Sequence, residues 1–82
     1  MIQLHPTDFL VLCILALEGA HQFPDLCAWF GDAHRGTLYE GVPRLRKAGF
    51  IYCQHRTARY DVTAAGRELF NHRRERIKLI PV

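Results

Sequence analysis

Arginine supplies most of the chemistry that this sequence offers. All 11 basic residues lie in residues 34–82, nine of them are arginine, and only four acids accompany them. Residues 1–33 contain four acids and no lysine or arginine. Guanidinium groups pair with phosphate oxygens through two parallel hydrogen bonds, so clustered arginine is typical of a surface that binds a phosphate backbone. A solvated face that only keeps the protein in solution is the alternative.

A predicted helix over residues 34–48 carries the densest group of these side chains. Leu38, Val42 and Leu45 recur at helical spacing and predict one buried face. The rest of the helix offers groups that bind phosphates or base edges, namely Arg35, Thr37, Tyr39, Glu40, Arg44 and Lys47. Arginine is the side chain found most often on guanine edges, so Arg44 is the principal candidate for a base contact.

Two residues of this helix complicate the prediction. Glu40 could accept a hydrogen bond from a cytosine amino group, or it could repel phosphate. Pro43 removes one helical hydrogen bond and clashes with the carbonyl of Tyr39, which typically costs ~3 kcal/mol. We therefore expect the helix to kink or break at Pro43.

Two short segments of alternating pattern predict a β-hairpin that carries more arginine. Phe50–Gln54 and Arg59–Val62 each alternate between apolar and polar side chains, with a polar turn between them. Arg56 in the turn and Arg59 on the returning strand are predicted to bind phosphate or the minor groove of DNA. A solvated hairpin tip is the alternative.

The other predicted elements are helices that supply the core. Phe9–Leu17 is apolar throughout, but nine residues are too few for a membrane span, which needs about 20. It therefore predicts a buried helix, with Thr7 as its N-cap and Gly19 after its end. A shorter helix from Pro24 to Phe30 is expected to turn its apolar residues inward; these are Leu26, Trp29 and Phe30.

The last helix is predicted from Ala64 to about Lys78, with Thr63 as its cap. Its apolar side and the tail that follows offer more apolar groups than so small a domain can bury, and exposed apolar groups usually mark an interface. We therefore expect a dimer interface at Leu69, Phe70, Ile77, Leu79 and Ile80. The alternative is that the tail folds back on the first helix.

Cysteine and histidine do not form a recognisable site in the sequence. Cys13, Cys27 and Cys53 are widely spaced and lack the short paired spacings that zinc requires. Cys13 and Cys27 fall on apolar helix faces, where thiols are usually inert. We expect no metal, no cofactor and no catalytic centre, and reduced cysteines in a cytoplasmic protein.

The order of the predicted elements is helix, short strand, helix, helix, two-stranded hairpin, helix. This is the order of a winged helix-turn-helix, a mainly α-helical fold with a small β-hairpin, and residues 1–82 are long enough for one such domain. In this fold the second helix of the helix-turn-helix enters the major groove of DNA. The arginine-rich helix occupies that place here, and the hairpin is the wing.

Three stretches of the chain add a family pattern to this order. They are Ile14–Phe23, Gly36–Tyr39 with Arg44-Leu45 and Gly49-Phe50-Ile51, and Arg59–Arg67. Over residues 9–70 the chain resembles the PadR-type transcriptional regulators. Gln22 stands where that family usually has glycine, and Glu40 stands where it often has proline.

The resemblance implies a regulator that binds double-stranded DNA and acts by occupying its operator, as a repressor does. It also implies a homodimer, since this family usually dimerises through a C-terminal helix. An alternative from another class is a winged helix that binds protein, for example a phage or plasmid accessory factor that binds a host protein. The basic half favours DNA, whereas the apolar tail and the break expected at Pro43 favour a protein partner.

Overall fold

The computed structural model describes residues 4–78, with side chains described up to Arg73. Four helices and three short strands follow one another along the chain. They are α1 (Pro6–Glu18), β1 (His21–Gln22), α2 (Phe23–Phe30), a 3₁₀ turn (Asp32–His34), α3 (Arg35–Lys47), β2 (Ile51–Cys53), β3 (Arg59–Val62) and α4 (Ala64–Lys78).

The ends of the helices follow from local chemistry. Gly19 after α1 and Gly49 after α3 have φ values of 93° and 85°, which glycine adopts at little cost, so the predicted helix ends are confirmed. The predicted N-cap of α1 is wrong by two positions. Its N-cap is His5, whose ring Nδ1 accepts a hydrogen bond from the Thr7 N–H at 3.4 Å.

The core lies where α1, α3 and the sheet meet. Its fully buried side chains include Leu12 and Leu15 from α1, Leu38 and Leu45 from α3, and Ile51 from β2. Burying each such side chain contributes roughly 1.5–3 kcal/mol before entropy is counted. The helical spacing that predicted the buried face of α3 is therefore confirmed.

The inward face of α2 differs from the prediction at one residue. Leu26 and Cys27 are buried, but Trp29 is 54% exposed. An α-helix has 3.6 residues per turn, so the side chain of Trp29, two positions after Cys27, points about 200° around the helix axis from that of Cys27. Trp29 therefore lies on the far side of α2 from Cys27, and its predicted place in the core is wrong.

Helix α3 continues without interruption through Pro43, so the predicted break is wrong. Pro43 is exposed and its ring lies on the solvent side of the helix. Val42 and Leu45 are buried on either side of it in sequence, and this packing holds the helix on both sides of the proline. Tertiary packing thus outweighs the hydrogen bond that proline cannot donate.

The predicted hairpin is confirmed, and the short strand predicted before the second helix pairs with it as a third strand. The strands run antiparallel in the order β1-β3-β2, with His21 opposite Tyr60 and Ile51 opposite Val62. Gln22 on β1 reaches the wing turn, where its Nε2 donates to the carbonyl of Thr57 at 2.9 Å. Gln22 therefore ties the wing to the body of the domain.

The first turn of α4 is fixed to the junction between α3 and β2. The Thr63 hydroxyl accepts from the Gly66 N–H at 3.0 Å and donates to the Gly49 carbonyl at 2.6 Å. The backbone N–H of Thr63 donates to the Phe50 carbonyl at 3.0 Å. The predicted cap is confirmed.

Of the predicted dimer residues, the two that the structure describes do not form an exposed apolar surface. Phe70 is buried in the core of its own protomer, and Leu69 is half-buried against that core. Placing Phe70 at a dimer interface is therefore wrong, because the small core accepts it. The side chains of Ile77, Leu79 and Ile80 lie outside the described residues.

Candidate nucleic-acid interface

The outward face of α3 gathers most of the residues predicted to contact DNA. Its buried stripe is turned toward α1 and the core. Arg35, Tyr39, Glu40 and Lys47 are exposed, and Thr37 is half-buried. The helix therefore presents a continuous polar surface to solvent, as a recognition helix must.

Tyr39 is held in place by a neighbour on α2. Its ring lies 4.7 Å from the ring of Phe23, at a tilt of 48° between the two planes. The side chain is still 63% exposed. A tilted aromatic contact of this kind restrains the ring and leaves its hydroxyl free to bind, which suits a phosphate contact.

Arg44 has a different environment from the one predicted. Its Nε donates to Oδ2 of Asp8 at 3.0 Å, and its Nη2 donates to Oδ1 at 3.1 Å. The hydrogen bonds that Arg44 donates to Asp8 raise the pKa of the guanidinium, which keeps its charge. Two of its five N–H donors are committed within the protein, whereas 49% of the side chain stays exposed, so the base contact of Arg44 stays a prediction.

Sequence reasoning missed Arg46 and Asp8. Arg46 is exposed on α3 and follows Tyr39 by seven residues, which is two helical turns, so both lie on one side of the helix. That spacing could have revealed it. Asp8 is 36 positions from Arg44 in sequence, and no local pattern connects the two residues.

The two wing arginines have different surroundings. Arg56 lies in the turn and is exposed. Arg59 is also exposed but borders a cleft between the sheet and α2, whose other walls include Asp25, His21 and Trp29. The Trp29 ring meets His21 edge-on, with ring centroids 6.2 Å apart. Arg56 is therefore the wing side chain better placed to reach a phosphate at some distance from the domain.

The cysteines offer little nucleophilic character. Burial raises the pKa of the Cys13 thiol, so the thiolate that would attack a substrate is scarce at neutral pH. Cys27 is buried in the core. Among the side chains that the structure describes, which end at Arg73, no three histidine, cysteine or acidic groups lie close enough together to hold a metal ion. Across the same part of the chain, no helix has the length and apolar character to span a membrane.

Comparison with known proteins bears on the fold. No family model and no curated protein matches the chain. A solved structure does: ligand-free NadR superposes with a TM-score of 0.74 at 26% sequence identity. The match covers 90% of this chain and 55% of the NadR chain, so the present chain spans about half the length of that protein. The fold is a winged helix-turn-helix.

Within this winged helix, α2 and α3 form the helix-turn-helix, and β2 and β3 form the wing. The predicted fold class is confirmed. The elements bring the exposed side of α3 and the wing turn to the solvent, where Tyr39, Lys47 and Arg56 are available to a partner.

Proposed function

We propose that the chain is a transcriptional regulator that binds double-stranded DNA through α3 and the wing. The observation that carries this proposal is the exposed surface of α3, which presents Arg35, Arg46 and Lys47 together with the restrained ring of Tyr39. The likeness to NadR, a winged-helix transcriptional regulator, supports a regulator role. Winged helices also bind proteins, so the choice between a DNA partner and a protein partner depends on the site and not on the fold.

We further propose that the chain is PadR-like and acts as a repressor by occupying its operator. Occupancy needs no cofactor and no catalysis, so we also propose a non-enzymatic, cytoplasmic protein. The stretches shared with PadR-type proteins support this assignment, above all Gly36–Tyr39 with Arg44-Leu45 and Gly49.

Titration against duplex DNA over a range of salt concentrations tests the proposal. Each phosphate contacted by a cation releases bound counterions, so log K falls with log salt by about 0.9 per phosphate. Contacts from α3 and the wing together should give a slope of about −3 to −5. A chain that binds no duplex at low salt is not a DNA-binding regulator.

A protein-binding module is the second candidate, and Trp29 favours it. This large side chain is half-exposed beside a cleft that Glu18 and Asp25 also line. Exposed tryptophan is enriched at protein interfaces. Failure to bind DNA, together with capture of a defined protein partner that a Trp29→Ala variant loses, would establish this function.

We propose that the chain is a homodimer and that α1 forms its interface. Leu10 and Leu17 are 51% and 64% exposed on the outer side of α1, seven residues apart and therefore on one face. Between them, Cys13 and Ile14 are only half-buried. Residues 9–17 of α1 contain no charged side chain, so the helix itself offers an uncharged surface on which two copies can meet about a twofold axis.

Replacing Leu10 and Leu17 together with serine should convert a dimer to a monomer. The change removes apolar area from the proposed interface and leaves the core residues of α1 untouched. Sedimentation velocity at tens of micromolar measures the result. A Tyr52→Ser variant, which removes another half-exposed apolar side chain from the wing, is the control and should stay dimeric. Equal sedimentation of all three proteins would contradict the α1 interface.

A further inference from the structure

Asp8 stands out because its charge is buried. Among the side chains that the structure describes, it is the one charged group in the core, with 2% of its surface exposed. A buried carboxylate without partners would be strongly destabilising. Here both of its oxygens accept from Arg44, at 3.0 and 3.1 Å, and the fork of the guanidinium fits the plane of the carboxylate.

Gly41 makes room for this ion pair. It lies one turn before Arg44 on α3 and is buried against α1. A Cβ at this position would collide with Oδ1 of Asp8. Asp8, Gly41 and Arg44 therefore form one three-residue contact, which we call the α1–α3 clasp.

The clasp acts where α3 is weakest. Pro43 directly precedes Arg44 and has no N–H, so it cannot donate the helical hydrogen bond that the carbonyl of Tyr39 would otherwise accept. The last turn of α3, residues 44–47, is thus attached to the rest of the helix by fewer backbone bonds. Arg44 secures that turn to α1 from the side.

The apolar contacts between α1 and α3 cannot supply the same precision. They depend on area and tolerate small rotations, whereas two parallel hydrogen bonds define one orientation. A rotation of α3 about its axis would change which of Tyr39, Arg46 and Lys47 faces the DNA. The clasp therefore controls the orientation of the surface that carries the proposed function.

We propose that Asp8 is a positioning residue for DNA recognition, acting through Arg44 to fix the rotation of α3 and the place of its last turn. This inference rests on the proposed DNA-binding function. It assigns to a buried residue of α1 a role in sequence discrimination, although Asp8 itself contacts no DNA.

The test compares Asp8→Asn with the wild-type protein on two duplexes. The first is the duplex that the wild-type chain enriches from a random pool, and the second is its scrambled sequence. Asparagine keeps the size of the side chain but places an amide donor against the guanidinium. We expect the ratio of the two affinities to fall roughly tenfold, within the range of coupling between residues in contact, while affinity for the scrambled duplex stays unchanged.

Two further variants separate positioning from charge and from simple stability. Gly41→Ala displaces the Asp8 carboxylate without changing any charge, and it should lose discrimination as Asp8→Asn does. Glu68→Gln removes the same charge from an exposed position on α4 and should lose none. Each protein is assayed well below its own melting temperature, because a purely structural role would then leave the affinity ratio intact. Gly41→Ala also provides the measurement if Asp8→Asn does not fold.

A double-mutant cycle completes the test. Arg44→Gln should lower discrimination as much as Asp8→Asn, and the double variant should lose no more than either single variant, because both break one contact. An unchanged affinity ratio in Asp8→Asn overturns the proposal. Additive losses in the double variant overturn it too, since the two residues would then act separately.

Hydrogen exchange distinguishes failure of this inference from failure of the proposed function. If the wild-type chain enriches no duplex, DNA binding is wrong, but the clasp can still be measured. Amides of residues 44–47 should exchange roughly tenfold faster in Asp8→Asn than in the wild-type protein, as local opening becomes easier. Unchanged exchange in this turn means that Asp8 does not hold α3.

Discussion

Replacing Gly66 with alanine is expected to lower the free energy of unfolding by about 3 kcal/mol, the upper part of the range for overpacking a filled site. Gly66 lies in the first turn of α4 with its Cα against the backbone of Phe50. An added methyl group would meet the Phe50 carbonyl oxygen and carbon, and main-chain atoms cannot turn aside as a flexible side chain can. The helix must therefore move away from the junction between α3 and β2.

That movement breaks other contacts in the same place. The Thr63 N–H donates to the same Phe50 carbonyl, and the buried ring of Phe70 lies one turn further along α4. For a domain of this size, the loss corresponds to a fall of roughly 10–20 °C in the melting temperature. Thermal unfolding followed by circular dichroism measures it.

Gly36→Ala is the matched control for Gly66→Ala. Gly36 also lies in a helix, near the start of α3, but an added Cβ meets nothing within 4 Å. Alanine there should stabilise the protein by about 0.5–1 kcal/mol, because it restricts the unfolded chain and suits a helix. The two substitutions are chemically identical and should have opposite signs. A Gly66→Ala variant as stable as wild type would contradict the close approach of α4 to Phe50.

Local chemistry was sufficient to predict most of the elements. The spacing of Leu38, Val42 and Leu45 revealed the buried face of α3, because one stripe of that helix packs against the core. The cap at Thr63 and the glycines after the helices depend only on neighbouring residues. Such features are local, and a single sequence contains all the information that they need.

Features that depend on distant residues could not be predicted. Pro43 seemed to demand a break, yet the packing of Val42 and Leu45 keeps α3 continuous. Trp29 seemed suited to the core, but the docking of α2 through Leu26 and Cys27 turns it to solvent. Each outcome depends on how two elements pack together.

In the candidate site, too, local features could be predicted from the sequence and contacts between distant residues could not. Charge distribution and periodicity identified the exposed face of α3 before its geometry was known. They could not reveal that Asp8 takes two of the donors of Arg44, since these residues are distant in sequence. They also could not reveal that Gln22 holds the wing turn through Thr57. Arg44 therefore also supports α3, a role that the sequence did not suggest.

Neutralising Arg56 and Arg59 together with glutamine should lower affinity for every duplex and reduce the salt slope by about one to two units. The wing turn is anchored, because Gln22 donates to the Thr57 carbonyl and Gln54 pairs with Arg59 through their backbones at 2.7 Å. A cation on an anchored turn can stay near phosphate without a large loss of entropy. Binding of several unrelated duplexes, each titrated over salt, measures the slope.

The single variants should divide this effect unequally. Arg56 is in the exposed turn, whereas Arg59 borders the cleft that Asp25 and Trp29 line, where the acid competes with phosphate for its charge. Arg56→Gln should therefore account for most of the loss in slope. Arg67→Gln, which removes the same charge from an exposed position on α4, should change the slope less than Arg56→Gln does. Equal effects of Arg56→Gln, Arg59→Gln and Arg67→Gln would mean that only net charge matters. A loss of sequence discrimination with an intact salt slope would mean that the wing contacts base edges instead of phosphate.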